Sequence, residues 1–173
     1  MPLYAHEGET AKIMALAPVI PVLTVASVED GLAQAKALIA GGLYAIEVTL
    51  RTPSALEAIK AIAKNLPNAV VGAGTIVSAD QINQAVAAGA RFLVSPGAPA
   101  ALAKAAAQSP IPFLPGCATA SEAMALRELG FRALKLFPAE AVGGAKLLAS
   151  LAAPLPDLRD RKTSCRERVL VAV

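Results

Sequence analysis

One pattern repeats along this chain from residue 18 onward: a short apolar strand, a turn and an alanine-rich amphipathic helix. Successive strand candidates start 20 to 26 residues apart, which is typical of strand–helix units in a parallel sheet. The candidates are residues 19–23, 45–50, 69–73, 91–95, 111–115 and 133–137. Six evenly spaced units favour an α/β fold of the (β/α)8 TIM-barrel type over an open nucleotide-binding sheet. No Gly-x-Gly-x-x-Gly run follows the first strand, so the usual dinucleotide signature is absent.

Cap residues predict where the helices begin and end. Polar residues before acidic first turns mark the starts, and glycines mark the ends. The predicted starts are Ser27, Pro53-Ser54, Ser78 and Thr119 or Ser121, and the predicted ends are Gly41-Gly42, Gly89 and Gly130. We also expect residues 1–13 to form a small leading helix across the bottom of the barrel.

The character of the chain changes where a seventh strand should begin, near residue 157. We therefore predict a partial barrel domain over residues 1–158, truncated after about six units. Residues 160–169 show neither strand nor helix patterning, and we interpret residues 159–173 as a non-native or disordered tail that resembles adapter or vector read-through. The alternative is a genuine disordered basic tail.

Composition and charge exclude several classes of function. Hydrophobic residues make up 55% of the chain, but no run of 18 residues lacks charge, proline and glycine breaks, so a membrane protein is not expected. Residues 159–168 hold five basic and two acidic side chains, which accounts for the whole formal charge of +3. No basic stripe is left to bind nucleic acid. The start lacks a signal-peptide pattern, and Cys117 and Cys165 give no disulfide framework, so we expect a cytoplasmic protein.

A lysine lies in the middle of the sixth apolar strand, at Lys135. Burial of an unpaired ammonium is unfavourable, and a buried amine tends to lose its proton and become a nucleophile toward carbonyls. Strand alternation places Lys135 and Phe137 on one face. The alternative is a lysine at the strand end whose amine reaches water.

A polar trio breaks the apolar pattern of the second strand, where Glu47, Thr49 and Arg51 share one face. Such exceptions at the C-terminal ends of barrel strands are typical of catalytic groups. A glutamate near a neutral lysine suits imine chemistry, in which the amine attacks a ketone and the carboxyl group transfers protons. The alternative is a Glu47–Arg51 ion pair that fills the barrel.

Metal or cofactor chemistry is not expected. His6 is the only histidine, and no cysteine pair has zinc spacing. Small turns end the third, fourth and fifth strands, at Gly72-Ala73-Gly74-Thr75, Ser95-Pro96-Gly97 and Pro115-Gly116. Each is unspecific alone and could be an ordinary turn, but together they indicate the rim of a pocket for a small molecule. The glycines would let the backbone approach a ligand closely.

These segments together resemble a known family. The motifs Glu-Val-Thr-Leu-Arg at 47–51, Val-Gly-Ala-Gly-Thr at 71–75, Ser-Pro-Gly at 95–97, Pro-Gly at 115–116 and Lys-Leu-Phe-Pro-Ala-Glu at 135–140 have the order and spacing of 2-keto-3-deoxy-6-phosphogluconate (KDPG) aldolases, class I lyases of the Entner–Doudoroff route. The resemblance covers residues 11–158. It implies that Lys135 forms a Schiff base with the C2 ketone and that Glu47 is the general acid/base, acting through water. It further implies that Arg51 and Thr75 hold the pyruvyl carboxylate, that Pro96 and Phe137 line the pocket, and that the protein is a homotrimer.

The departures from the family pattern concern the phosphate site. Family members continue into a seventh strand with a glycine-rich phosphate loop and an eighth strand, and neither is found in this sequence. We therefore expect the 173-residue chain to fold poorly alone, with open edges at its first and sixth strands, and to be nearly inactive toward the phosphorylated substrate. The alternatives are a 4-hydroxy-2-oxoglutarate aldolase, which releases glyoxylate and pyruvate, and a non-catalytic ligand-binding barrel.

Overall fold

The computed structural model describes residues 4–156, 160–161 and 170–172. The strands are β1 (Val22–Leu23), β2 (Ala45–Thr49), β3 (Val70–Gly74), β4 (Leu93–Val94), β5 (Phe113–Leu114), β6 (Gly116–Cys117), β7 (Leu134–Leu136), β8 (Asp160–Arg161) and β9 (Leu170–Ala172). The helices are α1 (Glu7–Ala15), α2 (Val28–Ala40), α3 (Ala55–Asn65), α4 (Ala79–Ala87), α5 (Ala100–Ala107), α6 (Ala120–Glu128) and α7 (Gly144–Ala152). None of the helices in these ranges is long and apolar enough to cross a membrane.

The strands follow one another in parallel, as the period predicts. Strands β1 to β5 form one sheet in sequence order, and β6 pairs in parallel with β7. The fifth predicted strand contains β5, and a second short strand, β6, follows Pro115, where the sequence predicts a turn; Pro115 separates the two because a proline has no N–H to donate to a neighbouring strand. Strand β5 is the last strand of the first sheet, and β6 pairs with β7, which contains Lys135. The α/β architecture predicted from the sequence is confirmed.

Three helix starts have the side-chain caps that the sequence predicts. The hydroxyls of Ser27, Ser78 and Thr119 each accept a hydrogen bond from the backbone N–H three residues later. At Thr119 the Glu122 carboxylate also accepts from the backbone N–H of the cap residue, which completes a capping box. Ser54 precedes α3, but its hydroxyl donates to the Ala26 carbonyl instead.

The two faces of the barrel strands have separate roles. One face packs against the helices and contains large buried side chains such as Ile46, Leu93 and Phe113. The opposite face forms the interior of the barrel, where Phe92 packs with Met14 from α1 at the end where the strands begin. Helix α1 thus covers the bottom of the barrel as predicted, although it begins and ends later than residues 1–13. The buried charged groups, Glu47 and Lys135, lie toward the opposite end of the interior.

The outer edge of β7 is paired, so the prediction that the sixth strand has an open edge is wrong. Strand β9 runs antiparallel to β7, with Lys135 opposite Val171, and β8 pairs with β9. An open edge presents a row of unpaired N–H and C=O groups, which favours pairing with any extended segment. Residues 157–159, 162–169 and 173 lie outside the described residues, and the non-native or disordered nature of residues 159–173 stays a prediction.

Candidate active site

Two buried side chains of opposite charge meet inside the barrel. The Nζ atom of Lys135 on β7 lies 3.6 Å from Oε1 of Glu47 on β2. Lys135 is 5% exposed and Glu47 is 3% exposed. The two strands are not neighbours in the sheet, so the contact crosses the interior of the barrel. The two groups that sequence reasoning chose as a pair are therefore in contact with each other.

A glycine on the neighbouring strand makes room for the glutamate. Strand β3 pairs in register with β2, with Gly72 opposite Glu47 and Gly74 opposite Thr49. A Cβ atom added at Gly74 would lie 2.6 Å from both Cγ and Cδ of Glu47. The side chain of Glu47 therefore leans over Gly74, toward the end of the barrel where the strands finish. The sequence predicted that this glycine serves the approach of a ligand, but in the structure it accommodates the carboxyl group.

Burial controls the protonation of this carboxyl group. It raises the pKa of Glu47 above the ordinary value of 4.5, and the charges of Lys135 and Arg51 offset that rise only in part. A carboxyl group with a raised pKa can hold a proton and release it closer to neutral pH. This is the property that a general acid/base needs.

Arg51 and Thr75 are in contact at the rim of the barrel. The Nε atom of Arg51 donates to the hydroxyl oxygen of Thr75 at 3.1 Å. Thr75 follows β3 directly and has a φ of 59°, a left-handed conformation that is strained for a β-branched residue. The contact leaves the terminal N–H groups of the exposed Arg51 side chain available to an anion, and a guanidinium suits a carboxylate because it donates two parallel hydrogen bonds.

Phe137 and Pro96 lie at the same end of the barrel. The Phe137 ring centroid is 5.4 Å from Nζ of Lys135, within the range of a cation–π contact. Pro96 is half-buried, and its carbonyl lies so close to Gly116 that a Cβ atom there would overlap it. The buried hydroxyl of Ser95 accepts a hydrogen bond from the Gly116 backbone N–H at 3.2 Å, which fixes this close approach. Glu47 and Lys135 therefore lie within strands β2 and β7, and the other four predicted site residues follow the ends of β2, β3, β4 and β7 within two residues.

Two hydroxyl groups at this end were not recognised as a pair from the sequence. The Thr49 hydroxyl donates to the Leu23 carbonyl at 2.9 Å and lies 3.1 Å from the hydroxyl oxygen of Thr24. Thr49 is fully buried, whereas Thr24, directly after β1, is exposed. The signal in the sequence was the polar residue that follows the apolar run 19–23, but its partner depends on the strand register.

Neither a reactive thiol nor a metal site is found among the described residues. Burial, with a smaller effect of the Glu122 charge, raises the pKa of the Cys117 thiol to about 11, so the thiol is unreactive at neutral pH. No group of three or more His, Cys, Asp or Glu side chains in residues 4–156, 160–161 and 170–172 could hold a metal ion.

Comparison with known proteins adds independent information. The family model for KDPG and KHG aldolase matches residues 10–164. The KHG/KDPG aldolase of Escherichia coli is 46% identical over 147 residues, which are 85% of this chain and 69% of that protein. A crystal structure of KDPG aldolase from Legionella pneumophila, with pyruvate captured as a covalent carbinolamine, has a TM-score of 0.84 and 41% identity, over 87% of this chain and 73% of that one. The KDPG aldolase of Zymomonas mobilis with 3-phosphoglycerate also has a TM-score of 0.84, with 47% identity over 88% and 73% of the two chains.

Proposed function

This chain belongs to the KDPG and KHG aldolase family, and we propose that it cleaves 2-keto-3-deoxy-6-phosphogluconate to pyruvate and glyceraldehyde 3-phosphate. The chemistry is that of a carbon–carbon lyase that uses a lysine imine. The observation that carries the proposal is the buried contact of 3.6 Å between Lys135 Nζ and Glu47 Oε1. No other lysine of the described residues is buried, and the buried carboxyl group of Glu47 is its neighbour.

The first half of the reaction forms the imine. The neutral amine of Lys135 attacks the C2 carbonyl of the substrate, and the carboxylate of Glu47 can accept the proton that the ammonium must first lose. The resulting carbinolamine loses its hydroxyl as water, with a proton supplied by Glu47, and becomes a protonated imine. A raised pKa allows this carboxyl group to carry the proton in either direction.

The second half breaks the carbon–carbon bond. Glu47 removes the proton of the C4 hydroxyl, the C3–C4 bond breaks, and its electron pair moves into the protonated imine. Glyceraldehyde 3-phosphate leaves as the aldehyde, and an enamine remains on Lys135. Protonation of that enamine at C3 and hydrolysis of the imine release pyruvate and restore the amine. Each step needs one amine and one carboxyl group only, and both belong to the described pair.

The remaining site residues bind the substrate. Arg51 donates to the C1 carboxylate with its terminal N–H groups, while Thr75 holds the guanidinium in place through the contact of 3.1 Å. Phe137 and Pro96 line the pocket, and the Phe137 ring shields the amine from water. The substrate is thus held at its carboxylate end while C2 faces Lys135.

The second candidate is 4-hydroxy-2-oxoglutarate, which the same lysine and glutamate would cleave to pyruvate and glyoxylate. The observation in its favour is that the matching family model and the Escherichia coli relative both bear the names of the two activities. The two substrates share the atoms C1 to C4 and differ beyond them, so groups near C5 distinguish them.

We also propose that the protein is a cytoplasmic homotrimer. The family resemblance supports the trimer, and the free thiol of the buried Cys117 is compatible with a reducing compartment. The molar mass in solution, measured by light scattering, tests the trimer, and a stable monomer at micromolar concentration contradicts it.

Covalent trapping tests the imine. Incubation of the protein at its full natural length with pyruvate and borohydride should reduce the imine to a stable secondary amine on Lys135, located by peptide mass spectrometry. The variant Lys135→Met should show no adduct and no turnover, whereas Lys104→Met, at an exposed lysine, should retain both. An adduct on another lysine, or turnover by Lys135→Met, contradicts the proposed function.

A further inference from the structure

The hydroxyl groups of Thr24 and Thr49 form a hydrogen-bond chain with a fixed direction. A carbonyl oxygen can only accept, so the contact of 2.9 Å between Thr49 Oγ1 and the Leu23 carbonyl uses the single proton of Thr49. The contact of 3.1 Å between Thr49 Oγ1 and Thr24 Oγ1 then needs the proton of Thr24. Thr24 is therefore a donor toward the protein, and its oxygen has only acceptor capacity left for a ligand.

A similar hydrogen-bond chain at the bottom of the barrel differs from this one in its first donor. There the backbone N–H of Phe113 donates to the Tyr4 hydroxyl at 3.0 Å. Tyr4 must in turn donate to Thr10 at 2.6 Å, because Thr10 donates to the His6 carbonyl. That chain begins with a protein donor. The chain at the top begins with the exposed Thr24 hydroxyl, and no donor among the described residues is directed at its oxygen.

The position of Thr24 relates it to the reacting atoms. Val22 is in register with Glu47 and Leu23 with Val48, so Thr24 lies opposite Thr49 on the interior face. It is two residues farther along than Glu47, which is about 6–7 Å along the strands toward the open end. A vicinal diol can span that distance, with one hydroxyl bound to Glu47 and the other bound to Thr24.

We propose that Thr24 is a specificity-determining residue that accepts a hydrogen bond from the hydroxyl on C5 of the substrate. The inference rests on the proposed function, in which Glu47 acts on the C4 hydroxyl. The phosphorylated sugar acid has a hydroxyl donor at C5, whereas 4-hydroxy-2-oxoglutarate has a carboxylate there, which can only accept. Two acceptors facing each other repel, so Thr24 favours the sugar acid. Thr49 is a positioning residue, because it holds the proton of Thr24 away from the ligand.

Two variants of the protein at its full natural length test the direction of the hydrogen bonds between Thr24, Thr49 and the Leu23 carbonyl. Thr24→Val keeps the shape but removes the acceptor, and it should lower kcat/KM for the sugar acid phosphate by about 3- to 10-fold, which is what one neutral hydrogen bond contributes. The same variant should leave kcat/KM for 4-hydroxy-2-oxoglutarate unchanged or raise it. Thr49→Val frees the proton of Thr24 for a carboxylate, so it should raise kcat/KM for 4-hydroxy-2-oxoglutarate relative to the sugar acid. Thr24→Ser is the matched control and should retain the wild-type preference.

The outcomes separate the inference from the proposed function. If Lys135 is trapped with pyruvate normally and the substrate preference of Thr24→Val equals that of the wild type, the specificity role is wrong and the aldolase function stands. If both variants lower the two kcat/KM values equally, the threonines have only a structural role. If wild-type Lys135 is not trapped, the proposed function fails and the inference fails with it.

Discussion

Replacement of Gly74 by alanine should separate the effect of the carboxyl position from the effect of overall stability. The new Cβ atom would lie 2.6 Å from Cγ and Cδ of Glu47. Carbon atoms in contact are normally about 3.5–4.0 Å apart, so the Glu47 side chain must move by about 1 Å. The backbone at Gly74 has no positive φ, so the strain arises from this overlap alone.

The overlap predicts two separate losses. Overpacking of an interior position typically costs about 1–3 kcal/mol of unfolding free energy. A catalytic group displaced by about 1 Å typically loses a factor of about 100 in rate. Gly74→Ala should therefore lower kcat by about that factor, with a moderate loss of stability.

Gly72→Ala on the same strand is the matched control. A Cβ atom at Gly72 would overlap the Phe92 ring, deeper in the interior, and its three nearest atoms all belong to that ring. It should lower the unfolding free energy, measured by urea denaturation, by about 1–3 kcal/mol, as Gly74→Ala does. Its kcat at a temperature well below the Tm should fall much less than that of Gly74→Ala.

A double-mutant cycle identifies the partner of the clash. In the background Glu47→Ala the atoms that the new Cβ meets are gone, so Gly74→Ala should then destabilise the protein little. The expected coupling free energy is about 1–3 kcal/mol. If Gly74→Ala destabilises the Glu47→Ala protein as much as the wild type, the reasoning from this contact is refuted.

Two further predictions concern buried polar groups. Burial raises the pKa of the Glu47 carboxyl group in the folded state above 4.5, so the folded state binds the carboxyl proton more tightly than the unfolded state does. The resulting stability is present at low pH and is lost as pH rises through the raised pKa. Glu47→Gln should therefore gain stability relative to wild type between about pH 4 and about pH 8 in urea denaturation, and a constant difference would contradict the assignment. Tyr4→Phe should lower the free energy of unfolding by about 1–3 kcal/mol, because a buried backbone N–H at the start of β5 loses its acceptor. Tyr44→Phe, at a side chain that is 41% exposed, should change the free energy of unfolding little. Equal effects of the two substitutions would contradict the role of the Tyr4 hydroxyl.

The strand–helix period predicted the fold well because it depends on local patterns. All six candidate segments contain strands, but β1 is shorter than residues 19–23. Pro18 and Pro21 have no N–H, so the ladder there cannot be complete, although the Pro21 carbonyl still accepts from the Glu47 N–H at 2.8 Å. The pairing of β7 with β9 was not predicted, because β9 lies within residues 159–173, which we interpret from the sequence as a non-native or disordered tail.

The sequence predicts the site residues whose type is unusual for their position in a strand, and it does not predict those whose type is common there. Glu47 and Lys135 are charged residues in apolar strands, so the sequence alone indicates them. Thr24 and Gly74 are ordinary residues for a strand end. Their roles depend on the register of neighbouring strands and on the direction in which the Glu47 side chain leans, and both are properties of the packed structure.

The conflict between stability and reactivity in this site follows from the arrangement of the barrel interior. Met14 and Phe92 fill the bottom with apolar groups, and the Phe92 ring lies over Gly72, the register partner of Glu47. This apolar floor keeps water from the carboxyl group and raises its pKa, which destabilises the charged form. The same burial provides a group that holds a proton closer to neutral pH. A neutral amide in its place should therefore make the protein more stable at alkaline pH and remove its activity, as expected where an active site retains an unfavourable buried charge.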